Sequence, residues 1–227
     1  MAGKLSIVAT PIGNLEDITL RALRVLKEAT VIYCEDTRVT KILLDRYDIT
    51  TPLKRLDANV EAQKAQEVIN RLMVGEQVAY VSDAGTPAIS DPGYRLVAMV
   101  RQALGDSFGI EAIPGPSAIT AALSIAGVKS DSFLFLGFLP HKKGRQTLLK
   151  KIAATEETVV LYESTHRILK LLKELETYIA QRPVVVAREL TKKFEDVQLG
   201  TAAQIREFFE EYPEHVRGEF VVIVESL

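Results

Sequence analysis

The amino-acid sequence predicts an α/β protein with two domains, of which the first has a parallel sheet with helices and the second has a mixed sheet with helices. Three observations lead to this prediction. Strand patterns alternate with helical patterns over the first half of the chain, Gly/Pro-rich loops follow several strands, and the pattern changes after Gly127. The segment VKSDS separates the two parts, so we place the boundary near Ser130 and expect domains of residues 1–130 and 131–227.

The predicted first domain consists of repeated strand-loop-helix units. Residues 5–10 form an apolar, β-rich run that ends at Pro11 and Gly13, and residues 18–29 carry apolar side chains at helical spacing. The further strands are predicted at 30–33, 78–81 and 110–113, and the helices that follow them at 39–47, 93–104 and 117–126. Because strands and helices alternate, we expect right-handed crossovers and a parallel sheet.

The predicted second domain starts with an aromatic-rich strand at 133–139. Residues 194–200 form a candidate strand with no helix before it, which favours an antiparallel neighbour and therefore a mixed sheet. The other strands are predicted at 159–162, 184–187 and 220–224, and the helices at 146–153, 168–179 and 202–211.

Composition and charge restrict the classes of function. Of the 227 residues, 47% are hydrophobic and 26% are charged, which is the balance of a folded enzyme. The formal net charge of -2 gives no overall basic field, so any contact with nucleic acid has to be local. A single cysteine, Cys34, excludes an internal disulfide. No run of ~18 apolar residues and no signal-peptide core is present, so we expect a cytoplasmic protein without a membrane segment.

Several common site motifs are absent from the sequence. No glycines have the G-x-G-x-x-G spacing of dinucleotide sites, and no P-loop or G-x-S-x-G nucleophile motif occurs. His141, His166 and His215 are far apart and Cys34 is alone, so we expect no metal site. The candidates that remain are loops at the ends of strands.

Three Gly/Pro-rich loops follow strands of the predicted parallel sheet. They are residues 10–14 (TPIGN), 82–87 (SDAGTP) and 114–118 (PGPSA). The carboxyl ends of parallel strands lie at one edge, where open α/β sheets bind ligands, and glycine allows a ligand to approach the backbone closely. A single loop of this kind is compatible with an ordinary turn. Three of them at one edge predict a rigid site for a small molecule.

A polar segment, Glu35-Asp36-Thr37-Arg38, follows another strand at the same edge of the sheet. Asp36 or Thr37 is suited to cap the next helix, where negative charge is favourable. Two carboxylates beside a ligand-binding edge are equally compatible with a functional role. Both interpretations stay open.

Basic residues follow strands of the second domain. They lie in the segments 137–145 (GFLPHKKGR), 162–167 (YESTHR) and 188–193 (RELTKK). Cations and an aromatic ring next to backbone turns can pair with phosphates and stack on a base, as in RNA recognition. The alternative of a solvated helix start stays open for the lysines of these segments, which are Lys142, Lys143, Lys192 and Lys193.

Eight sequence words resemble the ribosomal RNA small subunit methyltransferase I family of the tetrapyrrole methylase superfamily. In order, the words are TPIGNLEDIT, EDTR, SDAGTPAISDPG, PGPSA, GFLPHKKGR, YESTHR, RELTK and GEFVVIV, and they span nearly the whole chain. The resemblance implies a two-domain tetrapyrrole-methylase-like fold with S-adenosylmethionine in a cleft between the domains, and a homodimer. It also implies methylation of the 2′-hydroxyl of a cytidine in the decoding region of 16S rRNA, within the small ribosomal subunit. Some members continue past the GEF strand with a helical tail, whereas this sequence ends at Leu227.

The resemblance further implies which residues contact the cofactor. In the first domain these are Pro11, Asp83, Gly85, Thr86, Ile89, Ser117 and Ala118. In the second domain they are Glu163, Ala187 and Gly218.

The implied reaction depends mainly on positioning, because the methyl group of the cofactor is already activated. A ribose hydroxyl is a weak nucleophile, so a nearby base or cation should accelerate the reaction by ~10²-fold or more. The catalytic candidates are Glu35, Asp36, Glu163, His166, Glu189 and Lys192. The candidates for RNA contact are Arg38, Lys142, Lys143, Arg145, Arg167 and Arg188.

Two alternatives remain at the level of sequence. A precorrin (tetrapyrrole) methyltransferase of the same superfamily would use the same cleft for a small ring acid, although the basic residues beside the EDTR word favour RNA. A non-catalytic, cofactor-binding module for ribosome assembly is the second alternative, because binding loops alone do not establish turnover.

Overall fold

The computed structural model describes residues 3–57, 60–105 and 108–227. The chain divides into two units, Met1–Ser117 and Ala118–Leu227, and each is described by itself. Within the described ranges, no helix combines the length and the apolar character that crossing a lipid bilayer requires.

The first unit alternates strands and helices. Its strands are β1 (Lys4–Val8), β2 (Val31–Cys34), β3 (Leu53–Arg55), β4 (Gln77–Val81) and β5 (Ile110–Ile113). Its helices are α1 (Leu20–Glu28), α2 (Thr37–Arg46), α3 (Glu61–Met73) and α4 (Tyr94–Leu104). These five strands pair in parallel in the order β3-β2-β4-β1-β5, which confirms the predicted parallel sheet.

Side chains of the central strands alternate between two hydrophobic layers. In β2, Ile32 and Cys34 pack in the layer that contains α1 and α2, whereas Val31 and Tyr33 pack with α3 and α4. All four side chains are buried. Because both faces of the sheet are covered, the central strands are continuous apolar runs, and the loops at their ends start from a rigid support.

Strand β3 and helix α3 are absent from the elements that the sequence predicts. Helix α3 buries Ala65, Val68, Ile69 and Leu72, which follow the helical spacing i, i+3, i+4 and i+7. This signal was available in the sequence. Strand β3 is only three residues long and contains two cations, so its assignment depends on the pairing with β2.

The second unit begins with a helix. Its helices are α5 (Ala118–Ala126), α6 (Arg145–Ala154), α7 (Ile168–Ile179) and α8 (Ala202–Glu211). Its strands are β6 (Phe133–Phe138), β7 (Thr158–Ser164), β8 (Pro183–Arg188), β9 (Asp196–Thr201) and β10 (Glu219–Val224). The division lies after Ser117 and differs from the boundary expected near Ser130, because the apolar helix α5 packs on β8 and β10.

The second sheet is mixed, as the sequence predicts. Its order is β6-β7-β10-β8-β9, with β6 parallel to β7 and the other neighbours antiparallel. Helices α6, α7 and α8 cover one face in a single hydrophobic core. The pairing places Phe220 of β10 between Glu163 of β7 and Arg188 of β8, so several candidate residues lie at one edge of this sheet.

Candidate active site

The loop after β1 and the loop after β4 are joined by hydrogen bonds. The N–H of Thr10 donates to the carbonyl oxygen of Gly85 at 2.9 Å, and the N–H of Gly85 donates to that of Thr10 at 3.0 Å. The hydroxyl of Thr10 donates to the carbonyl oxygen of Ser82 at 3.3 Å. All three residues are buried, so water competes little for these bonds and the two loops keep one arrangement.

The loop after β5 lies against the other two. The hydroxyl of Thr86 donates to the carbonyl oxygen of Pro116 at 3.3 Å. A Cβ atom added to Gly115 would lie 3.1 Å from the Cβ of Ala9, so a side chain at this position would push the loops apart. The structure therefore brings together the three loops that stand out in the sequence.

The loop from Asp83 to Gly93 has a strained backbone. Its φ angle is positive at Gly85 (75°), Ala88 (71°), Ser90 (61°) and Gly93 (124°). For alanine and serine this conformation costs roughly 1–2 kcal/mol per residue. Such strain persists only where the surrounding structure imposes it, and it is frequent in ligand-binding loops.

Glu61 fixes the end of this loop. Its Oε1 atom accepts hydrogen bonds from the N–H groups of Gly93 and Leu96, both at 3.0 Å, at the first turn of α4. Gly93 has no side chain with which to cap α4, so the buried carboxylate of Glu61 supplies the acceptor.

Replacing Glu61 by alanine is expected to lower the free energy of unfolding by about 2 kcal/mol, because two buried N–H groups lose a charged acceptor. Urea unfolding followed by circular dichroism measures this change. The matched variant Glu61→Gln keeps one acceptor oxygen and should lose less stability. An alanine variant as stable as the parent protein would show that Glu61 does not cap α4.

Carboxylates gather near the ends of β2 and β4. The N–H of Asp36 donates to Oδ1 of Asp83 at 2.9 Å and ties the two loops together. Burial raises the pKa of Glu35, and the nearby carboxylates of Asp83, Asp91 and Asp57 raise it further. Burial is also the largest cause of the raised pKa values of Asp83 and Asp91. In the part of the chain that the structure describes, no three His, Cys, Asp or Glu side chains are arranged to hold a metal ion.

Asp36 and Arg38 form an ion pair with each other, whereas the carboxylate of Glu35 pairs with no described residue. Oδ1 of Asp36 accepts the N–H of Arg38 at 2.8 Å and caps α2, and its carboxylate also accepts the guanidinium Nη2 at 2.5 Å. The bonds from the side chain and backbone of Arg38 hold the pKa of Asp36 far below its ordinary value. No residue in the described ranges forms a hydrogen bond or an ion pair with the carboxylate of Glu35. Capping therefore accounts for Asp36 and leaves Glu35 available for chemistry.

Glu163, near the end of β7, is completely buried. Its Oε1 atom accepts the N–H of Ser164 at 2.9 Å and lies 3.2 Å from Nε of Arg167. Its Oε2 atom is buried and has no hydrogen-bond partner among the described residues. Because an unsatisfied buried carboxylate oxygen is costly, this position favours a ligand that donates a hydrogen bond.

Glu189 and Lys192 form an ion pair after β8. Nζ of Lys192 lies 2.8 Å from Oε1 of Glu189 and 2.8 Å from Oε2 of Glu219. Burial alone would raise the pKa of Glu189 and lower that of Lys192. The bonds outweigh burial, so the pKa of Glu189 is lowered and that of Lys192 is raised. Both groups stay charged near neutral pH and are poorly suited to transfer a proton. Gly218 packs against this pair, since a Cβ atom there would lie 2.5 Å from Cγ of Glu189.

The other predicted cofactor and catalytic residues differ in their exposure to solvent. Pro11 and Ala187 are buried, Thr86, Ser117 and Ala118 are half-buried, and Ile89 and His166 are exposed. Exposure to solvent therefore does not distinguish the predicted residues as a group.

Three of the six residues predicted to bind RNA make contacts inside the second unit. The buried guanidinium of Arg145 pairs with Glu174 at 2.6 Å. Arg188 is also buried and donates to three backbone carbonyl groups. Arg167 binds Glu163 and the carbonyl oxygen of Leu139. Protein acceptors already bind the guanidinium groups of Arg145, Arg167 and Arg188, so phosphate contacts by these three residues gain no support from the structure and stay a prediction.

Three predicted RNA contacts, Arg38, Lys142 and Lys143, are exposed.

Two site residues, Asp91 and Glu61, were not singled out from the sequence. Asp91 stands within the word SDAGTPAISDPG, which was an available signal. Glu61 has no such signal, because it acts on a backbone group 32 positions away.

Comparison with known proteins identifies the family. A sequence profile of the tetrapyrrole (corrin/porphyrin) methylases matches residues 4–206. The ribosomal RNA small subunit methyltransferase I of Pasteurella multocida is 46% identical over 100% of this chain and 80% of that protein. The protein of the same name from Escherichia coli O157:H7 is 45% identical over 99% of this chain and 78% of that protein. The one from Thermotoga maritima is 40% identical over 98% of each chain.

Solved structures agree with this assignment at the level of the fold. A cobalt precorrin-4 methyltransferase has a TM-score of 0.72 at 19% identity, over 98% of this chain and 94% of that chain. A uroporphyrin-III-C-methyltransferase from Thermus thermophilus has a TM-score of 0.65 at 20% identity, over 99% and 95% of the two chains. The chain belongs to the tetrapyrrole methylases and, among them, to the ribosomal RNA small subunit methyltransferase I family.

Proposed function

We propose that this chain is an S-adenosylmethionine-dependent methyltransferase that methylates the 2′-hydroxyl of a cytidine in the decoding region of 16S rRNA on the small ribosomal subunit. The observation that carries the proposal is 40–47% identity, along nearly the whole chain, to proteins named ribosomal RNA small subunit methyltransferase I. The three joined loops of the first unit support it, because they offer a rigid and glycine-lined surface to a small cofactor.

The residues of the site suit S-adenosylmethionine. Gly85 is buried with a positive φ, and a Cβ atom there would lie 3.4 Å from Cγ2 of Ile12, so glycine leaves room that a side chain would fill. The unpartnered Oε2 atom of Glu163 suits an ammonium or hydroxyl donor, and the cofactor carries both. The residues proposed to hold the cofactor are Pro11, Asp83, Gly85, Thr86, Ile89, Ser117, Ala118, Glu163, Ala187 and Gly218.

We assign proton acceptance to Glu35. The bound cofactor supplies an electrophilic methyl group on a sulfonium, and the protein has to orient the ribose hydroxyl and accept its proton. Glu35 has a raised pKa, which makes its carboxylate a stronger base than an ordinary glutamate. Of the other candidates, His166 is exposed, and Asp36, Glu163, Glu189 and Lys192 are held in ion pairs.

For the RNA, we propose phosphate contacts by Arg38, Lys142 and Lys143. All three side chains are exposed. The charge of Arg38 is partly neutralised by Asp36, so the two lysines should contribute more of the salt-dependent affinity.

The alternatives have less support. The solved cobalt precorrin-4 and uroporphyrin-III-C methyltransferases are 17–20% identical to this chain, and likeness at this level shows the fold alone. A non-catalytic module would bind the cofactor without turnover, which an assay of methyl transfer tests directly.

Small ribosomal subunits that lack the modification are expected to accept a labelled methyl group when this chain and labelled S-adenosylmethionine are added. Nuclease digestion and mass spectrometry should find the label in 16S rRNA as 2′-O-methylcytidine. Label on a corrin precursor and none on the subunits would replace this function with the ring alternative. Cofactor binding without transfer to either acceptor would favour the non-catalytic module.

We also propose that the chain acts as a homodimer in the cytoplasm. The family resemblance supports the dimer, and the buried free thiol of Cys34 suits a reducing compartment. Sedimentation equilibrium distinguishes a dimer from a single chain, and a single chain at assay concentration would rule out the dimer.

A further inference from the structure

Phe194 is an exposed aromatic residue in the connection between β8 and β9. It is 61% exposed, more than any other phenylalanine in the described ranges, and it lies outside the hydrophobic core of the second unit. Single exposed apolar residues are common, so exposure alone would carry no conclusion. The structure of the loop and the charge beside the ring distinguish this residue.

The loop that carries Phe194 is held by its own hydrogen bonds. Its φ angle is positive at Glu189 (49°) and Thr191 (65°). The N–H of Lys192 donates to the carbonyl oxygen of Glu189 at 3.0 Å, and the N–H of Glu195 donates to that of Lys192 at 3.1 Å. The N–H of Thr191 donates to the carboxylate of Glu195 at 2.6 Å. These bonds hold the backbone of the strained loop in one arrangement, which lowers the entropy cost of binding.

Arg188 holds the same loop from inside the unit. Its Nη1 atom donates to the carbonyl oxygen of Phe194 at 3.2 Å. Its Nη2 and Nε atoms donate to the carbonyl oxygens of Glu214 at 3.1 Å and Arg217 at 2.6 Å. The backbone of Phe194 is thus tied to a neighbouring segment while its side chain stays in solvent.

Lys193 places a positive charge beside the ring. Its Nζ atom lies 5.5 Å from the centroid of the Phe194 ring, within the range of a cation–π contact. Lys193 is exposed and has no carboxylate partner in the described part of the chain, whereas Lys192 is bound by two carboxylates. The charge of Lys193 is therefore available to a phosphate.

We propose that Phe194 is a stacking site for an unpaired base of the RNA substrate and that Lys193 contacts a phosphate beside that base. The inference rests on the proposed function, which makes RNA the substrate. Single-stranded RNA is recognised by stacking of its bases on aromatic side chains with cations nearby. A protein partner fits less well, because the ring lies beside the exposed charge of Lys193 and is followed in sequence by Glu195, whereas the centres of protein interfaces are depleted of charge.

The variant Phe194→Trp tests the stacking directly, because the chain contains no tryptophan and the new side chain is then its only indole. Titration with a short single-stranded oligoribonucleotide is expected to quench the indole emission to a plateau, and an RNA duplex should quench it much less. The matched control is Leu199→Trp, at a position 65% exposed on β9, where emission should not change. Equal quenching of both variants, or no quenching of Phe194→Trp by RNA that binds the protein, would overturn the inference.

A second measurement uses small ribosomal subunits. Phe194→Ala is expected to raise the KM for subunits by about 10-fold with kcat and cofactor affinity unchanged, and Phe194→Tyr should restore it. The slope of log affinity for subunits against log salt concentration should be about one unit shallower for Lys193→Gln than for the parent protein. Phe194→Ala should have the slope of the parent protein.

The two measurements separate this inference from the proposed function. If the protein transfers methyl groups and Phe194→Ala has the same KM for subunits as the parent protein, the stacking site is refuted and the proposed activity stands. Quenching by RNA without any methyl transfer would support the stacking site and count against the activity. Weaker binding of Phe194→Ala to subunits without quenching by free RNA would mean that the ring contacts a ribosomal protein, which contradicts the inference.

Discussion

Replacing Gly85 by arginine is expected to abolish cofactor binding. The φ angle of 75° is one that side chains rarely adopt, and a Cβ atom there would lie 3.4 Å from Ile12 and 3.9 Å from the carbonyl oxygen of Pro116. A long side chain at this point would occupy the surface where the three loops meet. We expect the affinity for S-adenosylhomocysteine, measured by calorimetry, to fall by roughly 100-fold or more, which corresponds to ~3 kcal/mol.

Gly127→Arg is the matched control for this experiment. Gly127 also has a positive φ, of 67°, but no atom lies within 4 Å of the position of an added Cβ. Backbone strain is therefore similar in the two variants, and the cofactor affinity of Gly127→Arg should equal that of the parent protein. If Gly85→Arg is folded by circular dichroism and binds as tightly as the parent protein, the cofactor does not contact this loop.

Glu35→Gln is expected to lower kcat for methyl transfer by about 100-fold or more, because the ribose hydroxyl loses its proton acceptor. The affinity for S-adenosylhomocysteine should stay unchanged, since Glu35 is not one of the proposed cofactor contacts. Single-turnover transfer to small ribosomal subunits measures the effect. The exposed residue Glu28, on α1, provides the control Glu28→Gln, which should react at the rate of the parent protein.

The pH dependence of the same reaction gives a second readout. Burial and neighbouring carboxylates raise the pKa of Glu35 above its ordinary value of 4.5. A base acts only when deprotonated, so the rate of the parent protein should fall as the pH drops through this raised pKa. Glu35→Gln should be slow at every pH and lack this decline. If both proteins show the same decline, another group accepts the proton.

The alternation of strands and helices in the first unit was predictable, because its hydrophobic periodicity is local. The parallel sheet and the positions of four of its five strands follow from such patterns. Helix α3 has the same periodicity although it is absent from the predicted elements, whereas β3 is too short to carry a pattern. The division between the units depends on which sheet α5 packs against, and a contact between distant segments leaves no local signal.

The candidate site was predictable only in part. The meeting of the three loops followed from the rule that parallel strands share one carboxyl edge, as the bonds of Thr10 with Gly85 show. The roles of charged residues did not follow. Lys142, Arg145 and Arg188 all stand after apolar strands in sequence, yet the first is exposed and the other two are buried with partners.

The sequence by itself determined the α/β class, the parallel and mixed sheets, the loops at the sheet edge and the family resemblance, because periodicity, turn residues and word order are properties of neighbouring positions. Only the tertiary structure decided which charged groups are bound to partners within the protein and which are free to interact with a substrate. The free energy of a charge depends on burial and on partners that the fold brings from far along the chain. For this reason Asp36 caps a helix and Arg188 binds carbonyl groups, while Glu35 and Phe194 remain available for a substrate.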